Sequence, residues 1–175
     1  MIETKDFSFI YRYFSAEKQE SLLFLIIGIA AIVTAVYFYF FLSGHQAYFK
    51  GAAFPLLFIG FIQLAVGYTV YARSDKQRST IAYCAGTDPQ FVQGTEMPRM
   101  EKVMKNFVIY RYTEIALALA GLGLFFFFLN DPAMEFWKGL GMTLTIQAMV
   151  MLGADNFAEK RGKVYIKELS TFIHS

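Results

Sequence analysis

Two long uncharged segments constrain this chain more than any other feature of its sequence. Residues 22–42 and residues 52–72 each run for 21 residues without a charged side chain. A bilayer hydrocarbon core about 30 Å thick needs about 20 helical residues to cross it, so each segment predicts a membrane-spanning helix. The composition agrees, because only 17% of the residues are charged, whereas soluble domains average about 25%.

Two shorter uncharged segments follow, residues 115–130 and 139–154, with 16 residues each. At about 1.5 Å per residue each reaches only about 24 Å, so flanking residues must complete the crossing. We therefore predict spans at 111–130 and 136–154, with Lys138 extending toward the interface. The alternative, a buried helical pair in a soluble protein, is disfavoured by the two full-length spans that precede it.

The predicted fold class is an all-α integral membrane protein with four transmembrane helices in two hairpins. Residues 1–175 form a single domain in this prediction. The helices continue beyond the spans, because apolar residues recur at helical spacing through 73–110 and 155–175. We expect these extensions to pack into a small bundle on one side of the membrane. Their apolar stripes are interpreted as core packing or headgroup contact rather than as a ligand site.

The distribution of basic residues predicts the orientation. Fourteen of the sixteen lysine and arginine residues, including Lys5, Arg12 and Lys18, lie at the two termini or between residues 73 and 111. Only Lys50 and Lys138 lie in the two short connections. The positive-inside rule then makes both termini and the central connection cytoplasmic. Acidic residues accompany this basic charge, so it indicates orientation and not a nucleic-acid partner.

Polar residues within or beside the spans are the candidates for function, because burying them in lipid is costly. Arg111, Glu114 and Asp155 form the best ionisable cluster, at the inner end of the second hairpin. An ion pair between Arg111 and Glu114, three residues apart on one helix face, is the simpler interpretation. A proton or ion relay is the alternative. Gln63 and Gln147 are expected to bond between helices or to line a pore.

Small residues within the spans predict close helix approach. The residues chosen on this basis are Gly28, Ala116, Ala120, Gly121, Gly123, Gly141 and Gly153.

Catalytic, cofactor-binding and metal-binding residues are not predicted. The single cysteine excludes an intrachain disulfide and a CxxC redox pair. The sequence has no phosphate-binding glycine motif and no metal-ligand spacing. A nucleophile with its acid and base cannot be assembled either, so a lipid-modifying enzyme is the least supported function.

Three segments carry a resemblance: YRYFSAEKQES before the first span, VGYTVYARSDKQR at the inner end of the second and EMPRMEKVMKNF before the third. They resemble a group of small four-span bacterial membrane proteins encoded near polymorphic toxins or type VI secretion components. The resemblance covers most of the chain and transfers no functional residues. It implies a multi-pass protein of the bacterial inner membrane that binds a protein partner, such as an immunity protein for a toxin.

The first functional hypothesis is therefore non-enzymatic binding of a protein on the cytoplasmic side, in addition to contact with membrane lipids. The residues predicted to form the partner-binding face are Arg73, Lys76, Arg78, Arg99, Lys102, Lys105, Lys160 and Arg161. The alternative is a channel or small transporter formed by homo-oligomers. In that case Gln63, Gln147, Glu114 and Asp155 would face a shared aqueous path.

Overall fold

The computed structural model describes residues 7–42 and 44–174, which are helical apart from short turns. The helices are α1 (Ser8–Phe40), α2 (Gln46–Thr87), the three-residue α3 (Pro89–Phe91), α4 (Met97–Phe127) and α5 (Glu135–His174). No strand occurs in this part of the chain, so the predicted all-α class is confirmed. Lys5, which contributed to the predicted orientation, lies outside the described residues.

Two aspartates begin the connections that lead into α4 and α5. The Asp88 side chain accepts a hydrogen bond from the backbone N–H of Phe91 at 3.1 Å, and a π-helical turn over Val92–Glu96 then leads into α4. The Asp131 side chain accepts a hydrogen bond from the N–H of Ala133 at 2.9 Å, which caps a 3-10 turn before α5. Both use the short carboxylate to satisfy a free N–H at a helix start.

By length and composition, three helical stretches are able to cross a membrane: Ser8–Phe40, Gln46–Thr87 and Pro89–Phe127. They contain the first three predicted spans, except that α1 ends at Phe40 and α4 at Phe127, shortly before the predicted limits of 42 and 130. The helix α5 is long enough, but it is less apolar because Lys138, Thr145 and Gln147 lie in its first half.

The long helices pack in the order α1, α2, α5, α4, with each helix against the next. In its first half α5 contacts α2 on one side, where Gly51 meets the backbone of Phe136. On the other side it contacts α4, where Gly141 meets the backbone of Gly121. The least apolar long helix is thus covered by two more apolar neighbours.

Glycines allow these helices to approach closely. A Cβ atom placed on Gly51 would lie 1.9 Å from the Phe136 carbonyl oxygen, and one on Gly139 would lie 1.9 Å from that of Tyr48. The predicted contacts at Gly28, Gly121 and Gly141 are present.

The other predicted small-residue contacts are wrong. A Cβ atom on Gly123 or Gly153 meets nothing within 4 Å, and Ala116 and Ala120 are exposed. These four residues lie on helix faces turned away from the neighbouring helices.

The ends of the helices near the chain termini surround an apolar core of their own. Its largest fully buried side chains include Tyr165, Phe14, Ile10, Met100 and Leu169. The Tyr13 and Tyr165 rings stack with centroids 4.1 Å apart. We call this part of the molecule the terminal bundle, residues 7–21, 73–110 and 155–173, and the rest the apolar half.

Candidate functional site

The predicted cluster of Arg111, Glu114 and Asp155 lies where α4 and α5 pass from the apolar half into the terminal bundle. Glu114 is only 2% exposed, and neither of its carboxylate oxygens has a hydrogen-bond partner among the described residues. Asp155, on α5, is its acidic neighbour. The antiparallel helices therefore bring the two carboxyl groups together, as the sequence predicted.

Arg111 pairs with a different carboxylate from the predicted Glu114. Its guanidinium forms an ion pair with Glu159 of α5, and the Lys163 ammonium lies 2.7 Å from the same carboxylate. Glu159 is buried, with its side chain 7% exposed, and it pairs with Arg111 of α4 and with Lys163 of its own helix. The cation that was expected to neutralise Glu114 is thus committed to another carboxylate.

The two glutamines of the apolar half are buried separately from this pair. Gln63 of α2 is 0% exposed and packs at the close crossing with Gly28 of α1. Its amide oxygen and nitrogen have no hydrogen-bond partner within the described part of the chain. Gln147, on α5, is 6% exposed.

The eight basic residues of the predicted partner-binding face divide into two groups. Arg73, Arg78, Arg99 and Arg161 form ion pairs with carboxylates of the chain itself. Arg99 and Arg161 are largely buried, with side chains 21% and 18% exposed. The remaining members are all exposed: Lys76, Lys102, Lys105 and Lys160. Arg73 and Arg161 therefore link α2 and α5 to carboxylates of α1, while the lysines remain on the surface of the terminal bundle.

A buried ion pair that sequence reasoning missed lies at the start of α4. The Glu96 carboxylate accepts two hydrogen bonds from Arg99, from Nε at 2.7 Å and from Nη2 at 2.6 Å. It also accepts one from the Tyr165 hydroxyl of α5 at 3.0 Å. The spacing of Glu96 and Arg99 permits a pair on one helix face, but nothing local identifies Tyr165 as the third member.

Burial and this carboxylate shift the pKa values of the surrounding groups. Burial raises the pKa of Tyr165 well above its ordinary value, and the negative charge of Glu96 adds to the rise. Burial alone would lower the pKa of Arg99, but its hydrogen bonds to Glu96 outweigh that effect and the pKa is raised. Tyrosine is therefore kept neutral here and arginine charged.

A second buried carboxylate, Glu17, joins α1 to α2. It accepts hydrogen bonds from the Ser74 hydroxyl at 3.3 Å and from the Tyr13 hydroxyl at 3.4 Å. Arg73 lies 4.0 Å away and is 45% exposed. Burial, followed by the charge of Glu17, raises the pKa of Tyr13.

A cleft of about 370 Å³ opens between the α1–α2 hairpin and the α4–α5 hairpin. All four long helices line it. Its charged residues are Glu17, Glu20, Arg73, Asp155 and Arg161. Its apolar walls include Phe24, Val66, Val70 and Phe107. Such a surface suits a molecule that carries both charge and hydrocarbon, and Asp155 connects the cleft to the buried Glu114.

The fold and this cleft define the class of the molecule as a helical protein with candidate membrane-spanning helices and a charged cleft beside them. The chain matches no family model, and neither a curated protein nor a solved structure is similar to it.

Proposed function

We propose that this chain is a four-span protein of the bacterial inner membrane, with both termini in the cytoplasm, whose terminal bundle binds another protein. The observation that carries the proposal is the terminal bundle itself. It has a buried aromatic core and ion pairs between helices, which a protein confined to lipid would not need. It offers a folded surface outside the bilayer.

The packing of α5 supports a fourth crossing. At its start, Glu135 lies 3.0 Å from the Nδ1 atom of His45, just before α2. At its other end, Glu168 pairs with Arg12 near the start of α1. Because α1 and α2 cross the membrane in this proposal, α5 must cross it with them. Residues 136–154 span about 28 Å as a helix, and neighbouring helices shield the polar residues of α5 from lipid.

Cysteine labelling tests the topology. In a Cys84→Ser background, cysteines introduced by Gly44→Cys and Ala133→Cys are expected to react with an impermeant maleimide outside intact spheroplasts. Those introduced by Ser79→Cys and Thr171→Cys are expected to react only after permeabilisation. Equal reactivity of the last pair in intact spheroplasts would contradict the orientation, and equal behaviour at 133 and 171 would contradict the fourth span.

The exposed lysines support a protein partner with an acidic surface, such as a toxin or a secretion component. Lys102 and Lys105 are exposed on α4, where opposite charge on a partner speeds association and contributes to specificity. With Lys76 and Lys160, they replace the larger predicted face, because its four arginines are engaged within the bundle.

Affinity purification in mild detergent, with sizing and mass spectrometry, tests partner binding. We expect one protein to co-purify in fixed stoichiometry, and Lys102→Glu with Lys105→Glu to abolish its capture. The matched control, Lys50→Glu with Lys138→Glu, reverses two charges near the starts of α2 and α5, at the other end of the molecule, and is expected to retain the partner. A pure homo-oligomer, or capture unaffected by the first variant, would contradict the proposal.

A second candidate function is a cation channel or transporter, and the Glu114–Asp155 pair supports it. Glu114 is buried with both oxygens unpartnered, and Asp155 lines an open cleft. In liposomes this function predicts ion flux that Glu114→Gln abolishes and that Glu101→Gln, at an exposed site on the same helix, preserves. Flux unchanged by Glu114→Gln, with altered thermal stability, would leave Glu114 a structural role only.

A further inference from the structure

We propose that the cleft between the two hairpins binds one zwitterionic phospholipid of the phosphatidylethanolamine type. Arg73 and Arg161 would hold its phosphate and the cleft carboxylates its ammonium group. This inference rests on the proposed four-span arrangement, because that arrangement places the cleft at the membrane surface.

The cleft changes character along the helices. Toward the apolar half its walls are Phe24, Val66 and Ala154, and toward the terminal bundle they carry the charges of Glu17, Arg73 and Arg161 beside apolar Val103 and Phe107. The predicted spans begin or end at residues 22, 72, 111 and 154, so the cleft lies across the predicted membrane boundary. A molecule whose charged end meets water and whose hydrocarbon end meets lipid fits this gradient.

The charges favour a zwitterion over an anion. The cleft holds two guanidinium groups, Arg73 and Arg161, and three carboxyl groups, Glu17, Glu20 and Asp155. A purely anionic headgroup would meet more negative than positive side chains, and like charges in such a site repel. A headgroup with a phosphate and an ammonium group can satisfy both kinds of side chain, and the ammonium N–H groups can donate to carboxylates.

Two arginines have hydrogen-bond capacity to spare. The Nε atom of Arg161 is buried and has no acceptor among the described residues, although another nitrogen of the same guanidinium pairs with Glu20. Arg73 lies 4.0 Å from Glu17, beyond hydrogen-bond distance. A phosphate group suits guanidinium groups, because two parallel N–H bonds can reach two of its oxygens.

The volume of the cleft suits a headgroup with the start of its chains. At about 370 Å³ it lies near the lower end of the range for ligand pockets, about 300–1,000 Å³. The acyl chains would leave the cleft along Phe24 and Val66 into the bilayer. The cleft therefore selects the headgroup, while the bilayer accommodates the chains.

Native mass spectrometry of the full-length protein, delipidated in detergent, tests the proposal. The probes are phosphatidylethanolamine, phosphatidylglycerol with the same chains, and glycerophosphoethanolamine, which has the headgroup without chains. We expect one phosphatidylethanolamine to bind per chain, with at least about ten-fold preference over the other two probes, which corresponds to about 1.4 kcal/mol. Equal binding of phosphatidylglycerol would overturn the selectivity for a zwitterion. Equal binding of glycerophosphoethanolamine would overturn the claim that the acyl chains contribute and that the ligand is a lipid.

Variants locate the bound lipid. Arg73→Gln removes a half-exposed phosphate ligand, and Ala158→Phe fills the cleft. Each is expected to weaken phosphatidylethanolamine binding by about ten-fold. Arg12→Gln removes an arginine that lies outside the cleft and pairs with Glu168, so it is expected to bind as the wild type does.

The outcomes separate this proposal from the one on which it rests. Equal lipid binding by wild type and Arg73→Gln would overturn the site even if Ala158→Phe fails to fold. If cysteine labelling supports four spans but no phosphatidylethanolamine binds, only the lipid inference fails. If labelling contradicts the fourth span, the proposed topology fails by a measurement that involves no lipid.

Discussion

In the apolar half of the molecule helices approach one another at glycine, whereas in the terminal bundle large side chains and ion pairs fill the space between them. Gly51 and Gly139 bring α2 and α5 so close that no Cβ atom fits at either position. In the terminal bundle Tyr13, Phe14 and Tyr165 form a ring cluster, and Arg99 bridges to a buried carboxylate.

In the proposed membrane arrangement, the surrounding solvent explains this difference. In lipid, burying a leucine against another helix gains little, because acyl chains are equally apolar, so helices associate through close packing of small residues. In water, burying apolar surface contributes about 25 cal/mol per Å², so large aromatic residues stabilise the bundle. In that proposal the two parts of each long helix are suited to different surroundings, and variants in both parts test the contrast.

The largest effect is expected at the α2–α5 crossing. Gly139→Leu would force a side chain into the Tyr48 carbonyl, and the helices would have to separate. Overpacking costs about 1–3 kcal/mol where neighbouring side chains can shift. The obstacle here is a backbone carbonyl, which cannot shift in this way, so we expect the variant to be absent from the folded membrane fraction. Gly153→Leu, at a glycine with open space around it, is the matched control. Equal amounts of folded protein from both variants would show that the close approach is unimportant.

The terminal bundle should be most sensitive at its buried ion pair. Arg99→Met leaves the Glu96 carboxylate, 1% exposed, without its cation, and removing one partner of a buried pair costs about 3–5 kcal/mol. Arg12→Met breaks an exposed pair instead and is expected to cost no more than about 1 kcal/mol. Unfolding by sodium dodecyl sulfate titration measures both changes. A similar loss in the two variants would contradict the burial of the Glu96–Arg99 pair.

A smaller effect, and one that depends on pH, is expected at Tyr165. Its pKa in the folded protein is raised above the ordinary 10.0, so the unfolded chain releases this proton first as the pH rises. Stability must then fall with increasing pH above about 10, because the folded state binds more protons. Tyr165→Phe removes a hydrogen bond to a charged acceptor and is expected to lower the free energy of unfolding by about 1.5–3 kcal/mol. Because the variant lacks the titrating hydroxyl, its thermal midpoint should also fall less steeply than that of the wild type above about pH 10. Parallel pH curves for wild type and variant would refute this role.

The sequence predicts the helices better than their contacts. The 21-residue uncharged segments predict α1 and α2 because span length depends only on local composition. The contacts depend on which faces meet, which no single helix determines. Gly123 was therefore predicted to be a contact and faces open space, while Gly51 and Gly139 were not singled out.

For the charged groups too, the sequence predicts approximate position along the helices better than it predicts contacts. The antiparallel pairing of the last two helices brings Glu114 and Asp155 together as predicted, because hairpin connectivity fixes their approximate depth. Hairpin connectivity does not fix the rotation of each helix about its axis, so the ion pair between Arg111 and Glu159 was not predicted. The three-residue spacing of Glu96 and Arg99 is visible in the sequence. The burial of this ion pair depends on the packing of Tyr165 from α5 against it, which the sequence does not reveal.

The smallest effect is expected at Asp75, which lies beside the boundary between the two regions and pairs with Lys18 and Arg78. The hydrogen bond from Lys18 lowers the pKa of Asp75 below its ordinary value. A lowered pKa in the folded state gives stability at neutral pH that is lost as the pH falls through the folded value. Asp75→Asn should therefore flatten the decline of the thermal midpoint below about pH 4, but only slightly, because exposed pairs contribute little. Glu101→Gln removes one exposed negative charge from α4 as a control. An equal flattening in the control would show that total charge, and not the pairing of α1 with α2 at this boundary, determines the acid response.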